Sequence, residues 1–283
     1  MIFFKRVKHT IAIPACLFLL SILIPAHLFA QGDLMIYPKR INFENLKRAQ
    51  DLSLINNGKD TARYVISVVQ IRMKADGRFE TINEPDSGQH FADKNFRFFP
   101  RAVILAPNES QTVRIQLIKT SELTAGEYRS HLYFRAEKEQ KPLGQRIAEK
   151  KNNSIEISIV PVFGISIPII VRVGESTTKV EIVEKEIKTI KNGKPTLNIQ
   201  INRSGNMSVY GDISVEHLST SGKLTKVGLI QGVAIYAPTP SRNFQIPLDN
   251  SKGITFNTGK LQINYFEPSG NKIKFAETEL LLN

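Results

Sequence analysis

The sequence predicts an all-β chain of two domains, each a sandwich or barrel, behind a short leader. Three observations predict it. Apolar residues recur at period two, in short runs separated by Gly, Asn, Asp and Pro, and helical spacing is nearly absent. The chain has 283 residues, enough for two domains of ordinary size. A polar stretch from Gly174 to Thr178 divides the apolar runs into two blocks and reads as a linker.

The leader differs in kind from the rest. Lys5, Arg6 and Lys8 precede an apolar run from Ile11 to about Ala30, and no acidic residue comes before Asp33. Charge followed by an apolar stretch is the order of a secretory signal peptide, with cleavage expected near Ala30. The rival readings are an uncleaved anchor and, because Cys16 follows Ile13-Pro14-Ala15, an acylated lipoprotein. No stop-transfer pattern follows the run, and the run continues well past Cys16, so cleavage is the expectation. Cys16 is the only cysteine, so the cleaved chain would hold neither a disulfide nor a thiolate metal site. Such a protein suits a bacterial envelope and relies on its core.

Strands are expected in order along the first block. Asp51 to Asn56 leads into a turn at Asn57-Gly58. Ala62 to Met73 reads as one longer strand before Ala75-Asp76-Gly77. Ala102 to Leu105 is short, and Thr112–Leu117 and Arg129–Phe134 alternate. Glu137 to Asn153 is basic and polar and reads as a loop. From Ile155 to Ile170 every odd position through Ile169 is apolar, which predicts one long strand with a continuous apolar face. At about 3.3 Å per residue it would span roughly 50 Å, or bend near Pro161 or Gly164. Seven further runs fill the second block: Val180–Glu186, Thr196–Asn202, Val209–His217, Lys226–Tyr236, Arg242–Pro247, Lys260–Phe266 and Lys272–Leu282. They fit a second sandwich.

Net charge is +12, of which the leader supplies three. The remainder is spread along the chain, which reads as solubility with a diffuse preference for acidic partners. Export argues against nucleic acid as a partner. His90, His131 and His217 lack a second histidine at metal-ligand spacing, so no metal site is expected. No Gly-x-Ser-x-Gly elbow and no phosphate-cradling glycine loop appear, so neither an enzyme nor a cofactor is expected. The long apolar strand beside a basic loop instead has the ingredients of β-strand addition to a partner, because an edge strand exposes unpaired N–H and C=O groups.

Four segments in order carry a likeness to a family. They are Ile36 to Phe43, which looks like the family's first strand, Leu52 to Asn57, Phe98 to Ile115 with its prolines and its Gln111…Val113-Arg114, and Gly126 to Phe134. The basic loop, the alternating strand and Ile169-Ile170-Val171-Arg172 follow. Over about 140 residues the first block resembles the periplasmic chaperones of the chaperone–usher pilus pathway; the second block matches in length and β content. The resemblance implies two immunoglobulin-like β-sandwich domains in tandem with a cleft between them: residues 1–30 a signal peptide, 31–174 the chaperone domain with its donor strand, 175–283 the second sandwich. It implies a periplasmic protein whose partners are pilus or fimbrial subunits and an outer-membrane usher, with a self-capping homodimer as one way to cover the strand. The donor face would be Ile155, Ile157, Ile159 and Phe163. Arg40, with Lys39 as the register alternative, falls on the family's cleft arginine, which anchors a subunit's C-terminal carboxylate. The family's second cation, a lysine, would lie four residues before Arg172, where Pro168 stands, and no lysine occurs from Asn152 to Thr178. An envelope structural or adhesion module of the same fold is the alternative class, and a hydrolase hidden in a sandwich a third.

Overall fold

The computed structural model describes residues 34–44, 47–137, 164–188, 195–251, 253–268 and 273–282. Among these described residues eleven strands precede residue 174: β1 Leu34–Tyr37, β2 Ile41–Phe43, β3 Ala49–Asn56, β4 Ala62–Val69, β5 Ile71–Met73, β6 Phe79–Thr81, β7 Phe96–Phe99, β8 Ala102–Leu105, β9 Ser110–Leu117, β10 Gly126–Glu137 and β11 Gly164–Val173. Seven follow: β12 Lys179–Lys188, β13 Thr196–Ser204, β14 Val209–Leu218, β15 Leu224–Ile235, β16 Ser241–Pro247, β17 Lys260–Phe266 and β18 Lys274–Leu281. The fold is all-β, two sandwiches in tandem.

The first sandwich packs the sheet β1-β3-β9-β7 on the sheet β2-β11-β10-β4-β8. Alternation in each strand turns one set of side chains inward. Leu52, Leu54, Val113 and Ile115 from one sheet meet Leu105, Leu132, Phe134 and Ile169 from the other in one buried cluster. The second sandwich packs β12-β13-β16 on β15-β14-β17-β18. Its core sets Leu197, Ile201 and Ile246 against Ile213, Val215, Leu261, Ile263 and Tyr265. All seven runs expected after the linker are strands. Residues 174–178, between the two sets of strands, carry none.

Two expectations need correction. The stretch 36–43, read as one first strand, is two strands in opposite sheets: β1 pairs antiparallel with β3, while β2 runs parallel to β11. The stretch 62–73 is also two strands. Its end leaves the sheet to form a hairpin with β6, which the sequence reading missed along with β7. The hairpin departs because Met73 buries against the second sandwich, in a cluster with Ile170, Ala234 and Tyr236, rather than in the first core. Its loop is tied there too: Asn243 donates its backbone N–H to the Ala75 carbonyl at 2.9 Å. The odd apolar face of β11 is covered along part of its length. Ile167 and Ile169 are buried in the first sandwich's own core, whereas Ile165 is 38% exposed. Period-two alternation shows that a face is apolar and is silent on what covers it.

Candidate functional site

The site is built on β11. This strand pairs with β10 along its whole length, from Gly126↔Val173 to Arg135↔Gly164. On its other side it pairs with β2 at Ile169, Ile170 and Val171 alone. Gly164 to Pro168 therefore keep one ladder edge open among the described residues. Arg40 precedes Ile41, the partner of Ile169, and so stands at the end of this short ladder, next to the open stretch.

The face of this sheet that looks away from the core is rich in charge. Arg129 lies opposite Ile170, Glu127 opposite Arg172, and His131 opposite Pro168. All three β10 residues are buried, because the second sandwich covers them. Glu127 accepts a 2.9 Å bond from the Ser208 backbone N–H, a further bond from the Ser208 hydroxyl, and one from Arg172 Nε at 3.1 Å. Arg172 also donates to Glu44 at 2.9 Å and to the Ser208 carbonyl at 2.7 Å. One carboxylate and one guanidinium thus clasp the two sandwiches.

Beside the clasp opens a cleft of about 800 Å³. Arg40, Asn42, Glu44 and Arg172 line it from the first sandwich, and Lys179, Tyr210 and Lys274 from the second. Arg40 is half-buried, with its guanidinium carbon 3.7 Å from the centre of the Tyr210 ring. Its Nη2 donates to the Tyr236 hydroxyl at 3.2 Å. Among the described residues no carboxylate pairs with Arg40, whereas Arg172 is held by two. Lys39, the register alternative, is exposed and does not line the cleft.

Tyr236 is the centre of the buried junction. The Arg129 guanidinium lies 4.1 Å over its ring, and His131 meets it edge-on at 6.1 Å. Burial pulls the Arg129 guanidinium below its usual value. Burial, aided by the neighbouring Arg129 and Arg40 charges, pushes His131 down to about 3, so this histidine is a neutral packing group. His217 is likewise structural, its Nε2 bonded to the Thr258 carbonyl at 2.9 Å. Among the described residues no group of three or more His, Cys, Asp or Glu side chains is arranged to hold a metal ion.

Sequence reasoning singled out Arg40, which lines this cleft, and did not single out Glu127, Ser208, Tyr210 or Tyr236, which surround it or the clasp. No local signal marks these residues, since each acts across the junction. Ile155, Ile157, Ile159 and Phe163, the expected donor face, lie outside the described residues, as does the leader.

No protein-family model matches the chain, and no curated protein sequence matches it significantly. Similar solved structures exist. The class 5 fimbriae chaperone CfaA matches at a TM-score of 0.42 and 18% identity, over 89% of this chain and 99% of that one. The Pseudomonas aeruginosa CupB2 chaperone matches at 0.43 and 14%, over 88% and 100%. A chain from the Salmonella enterica SafA pilin–SafB chaperone complex matches at 0.41 and 12%, over 89% and 98%. The first of these is described as a fimbriae chaperone, the second as a chaperone, and the third as a pilin in complex with a chaperone.

Proposed function

We propose that the protein is a chaperone for fimbrial or related surface subunits, acting by strand donation and without catalysis. The observation that carries this reading is the open edge of β11 from Gly164 to Pro168, lying beside a cleft arginine that has no carboxylate partner among the described residues. An open ladder edge takes an extended chain by backbone hydrogen bonding, and a guanidinium fork suits the carboxylate at that chain's end. In this reading Ile155, Ile157, Ile159 and Phe163 fill the subunit's groove. Four such side chains would contribute roughly 6–12 kcal/mol before ordering costs. Arg40 holds the carboxylate; Lys39 takes no part.

The reading also carries a place of action. Residues 1–30 direct export, 31–174 form the donating domain and 175–283 the second domain. The protein works in the periplasm, passes subunits to an outer-membrane usher, and a second copy of the chain is the candidate cover for the strand between clients.

Co-expression with a fimbrial subunit tests it. The expected result is a stable one-to-one complex that is lost on Ile157→Asp or Ile159→Asp, while the variant itself folds. A complex that survives both substitutions, or a chain that captures no subunit from its own gene neighbourhood, would sink the reading.

A further inference from the structure

Arg40 belongs to the first sandwich, yet both groups that hold its guanidinium come from the second. Tyr210 lies on β14 and offers the face of its ring; Tyr236 directly follows β15 and offers its hydroxyl. Tyr236 is itself immobilised, 6% exposed, beneath Arg129 and against Met73, Ile170 and Ala234. A guanidinium stacked on a ring is held by its flat face. The N–H edge that takes a carboxylate lies at right angles to that face, so the ring does not block it; of that edge Nε is buried without a hydrogen-bond partner among the described residues and Nη2 donates to Tyr236.

An unrestrained arginine loses much rotamer freedom when it binds, and ordering it beforehand removes that cost. The need is larger here than in a two-cation site. Pro168 occupies the strand position beside Arg40, and Arg172 is saturated by Glu127 and Glu44. We infer that Tyr210 and Tyr236 are positioning residues that orient Arg40 for a ligand's terminal carboxylate, so that the anchor exists only while the two sandwiches are docked. The inference rests on the carboxylate-anchor reading above.

Calorimetry with a short synthetic peptide of alternating valine and threonine, carrying a free C-terminal carboxylate, and with its C-terminal amide, separates the two ideas. The full chain without its leader is expected to prefer the carboxylate peptide. Tyr210→Leu is expected to weaken that peptide about tenfold, about 1.4 kcal/mol, and leave the amide unchanged, because the guanidinium loses the ring face that holds it. Tyr210→Phe, which keeps the ring face, is expected to restore it. Tyr236→Phe, which removes one hydroxyl and keeps the packing, is expected to weaken the carboxylate peptide alone, and it carries the test if Tyr210→Leu does not fold. A merely structural role would weaken both peptides alike. Full carboxylate preference in either Tyr210→Leu or Tyr236→Phe, equal losses for the two peptides, or failure of Tyr210→Phe to restore binding overturns the inference and leaves the anchor standing. Equal binding of both peptides by the unsubstituted chain overturns the anchor and the inference with it.

Discussion

Glu127 on β10 and Arg172 on β11 sit directly opposite one another and meet at 3.1 Å, with Ser208 of the second sandwich closing the group. The Glu127 side chain is 1% exposed. Removing one partner of a buried pair leaves the other charge uncompensated, which costs about 3–5 kcal/mol. Glu127→Ala is therefore expected to lower stability by that order in denaturant titration and to loosen the junction, seen as a larger radius in solution scattering. A loss below about 1 kcal/mol would show that the clasp does not hold the sandwiches together.

His131 makes stability depend on pH. Its folded value is held down to about 3 by burial, so the unfolded chain, with a value near 6.5, binds the proton first. Stability is therefore full above about pH 6.5 and is lost as pH falls toward 3, at up to about 1.4 kcal/mol per pH unit. Between pH 6.5 and 4.5 carboxylates contribute little, so the slope there belongs mainly to this group. His131→Gln is expected to flatten it; an unchanged slope would place the titrating group elsewhere.

Ile165 and Ile169 share the odd face of β11 and have opposite surroundings, 38% and 0% exposed. Ile169→Ala opens a core cavity and is expected to cost about 2–5 kcal/mol. Ile165→Ala is expected to change stability by less than about 1 kcal/mol and to weaken subunit capture instead. Equal stability losses would mean that Ile165 is covered by the protein itself.

Asn56 ends β3, and its amide is fully buried. Its Nδ2 donates to the carbonyls of Asp60 at 2.8 Å and Leu105 at 2.9 Å, and its Oδ1 accepts from the Gly58 N–H at 2.9 Å. Asn56→Ala strands these groups and is expected to cost about 1–3 kcal/mol. Asn56→Asp, which turns an acceptor toward carbonyls, is expected to cost more. Thermal melting of both variants checks the order, and the reverse order would remove the amide from that role.

Much of the fold was legible because it is local. Alternation in Thr196–Asn202 or Lys260–Phe266 reports a strand whatever its neighbours are. The breaks at residue 70 and between Tyr37 and Ile41 were not legible, since apolar residues continue on both sides. Arg40 was singled out through a segment's likeness to a family, and its surroundings were not legible, because Tyr210 and Tyr236 lie some 170 to 196 residues away in the chain.

The sequence by itself determined that the chain is built of strands, where most of them run, and which face of each of those is apolar, because side-chain alternation is a property of neighbouring residues. Only the tertiary structure decided which apolar faces are covered, that His131 is neutral, that Arg172 is spent on Glu127 and Glu44, and that Arg40 is held by aromatic groups of the other sandwich. Burial and charge pairing are made by residues far apart in the chain, and no local spacing encodes them.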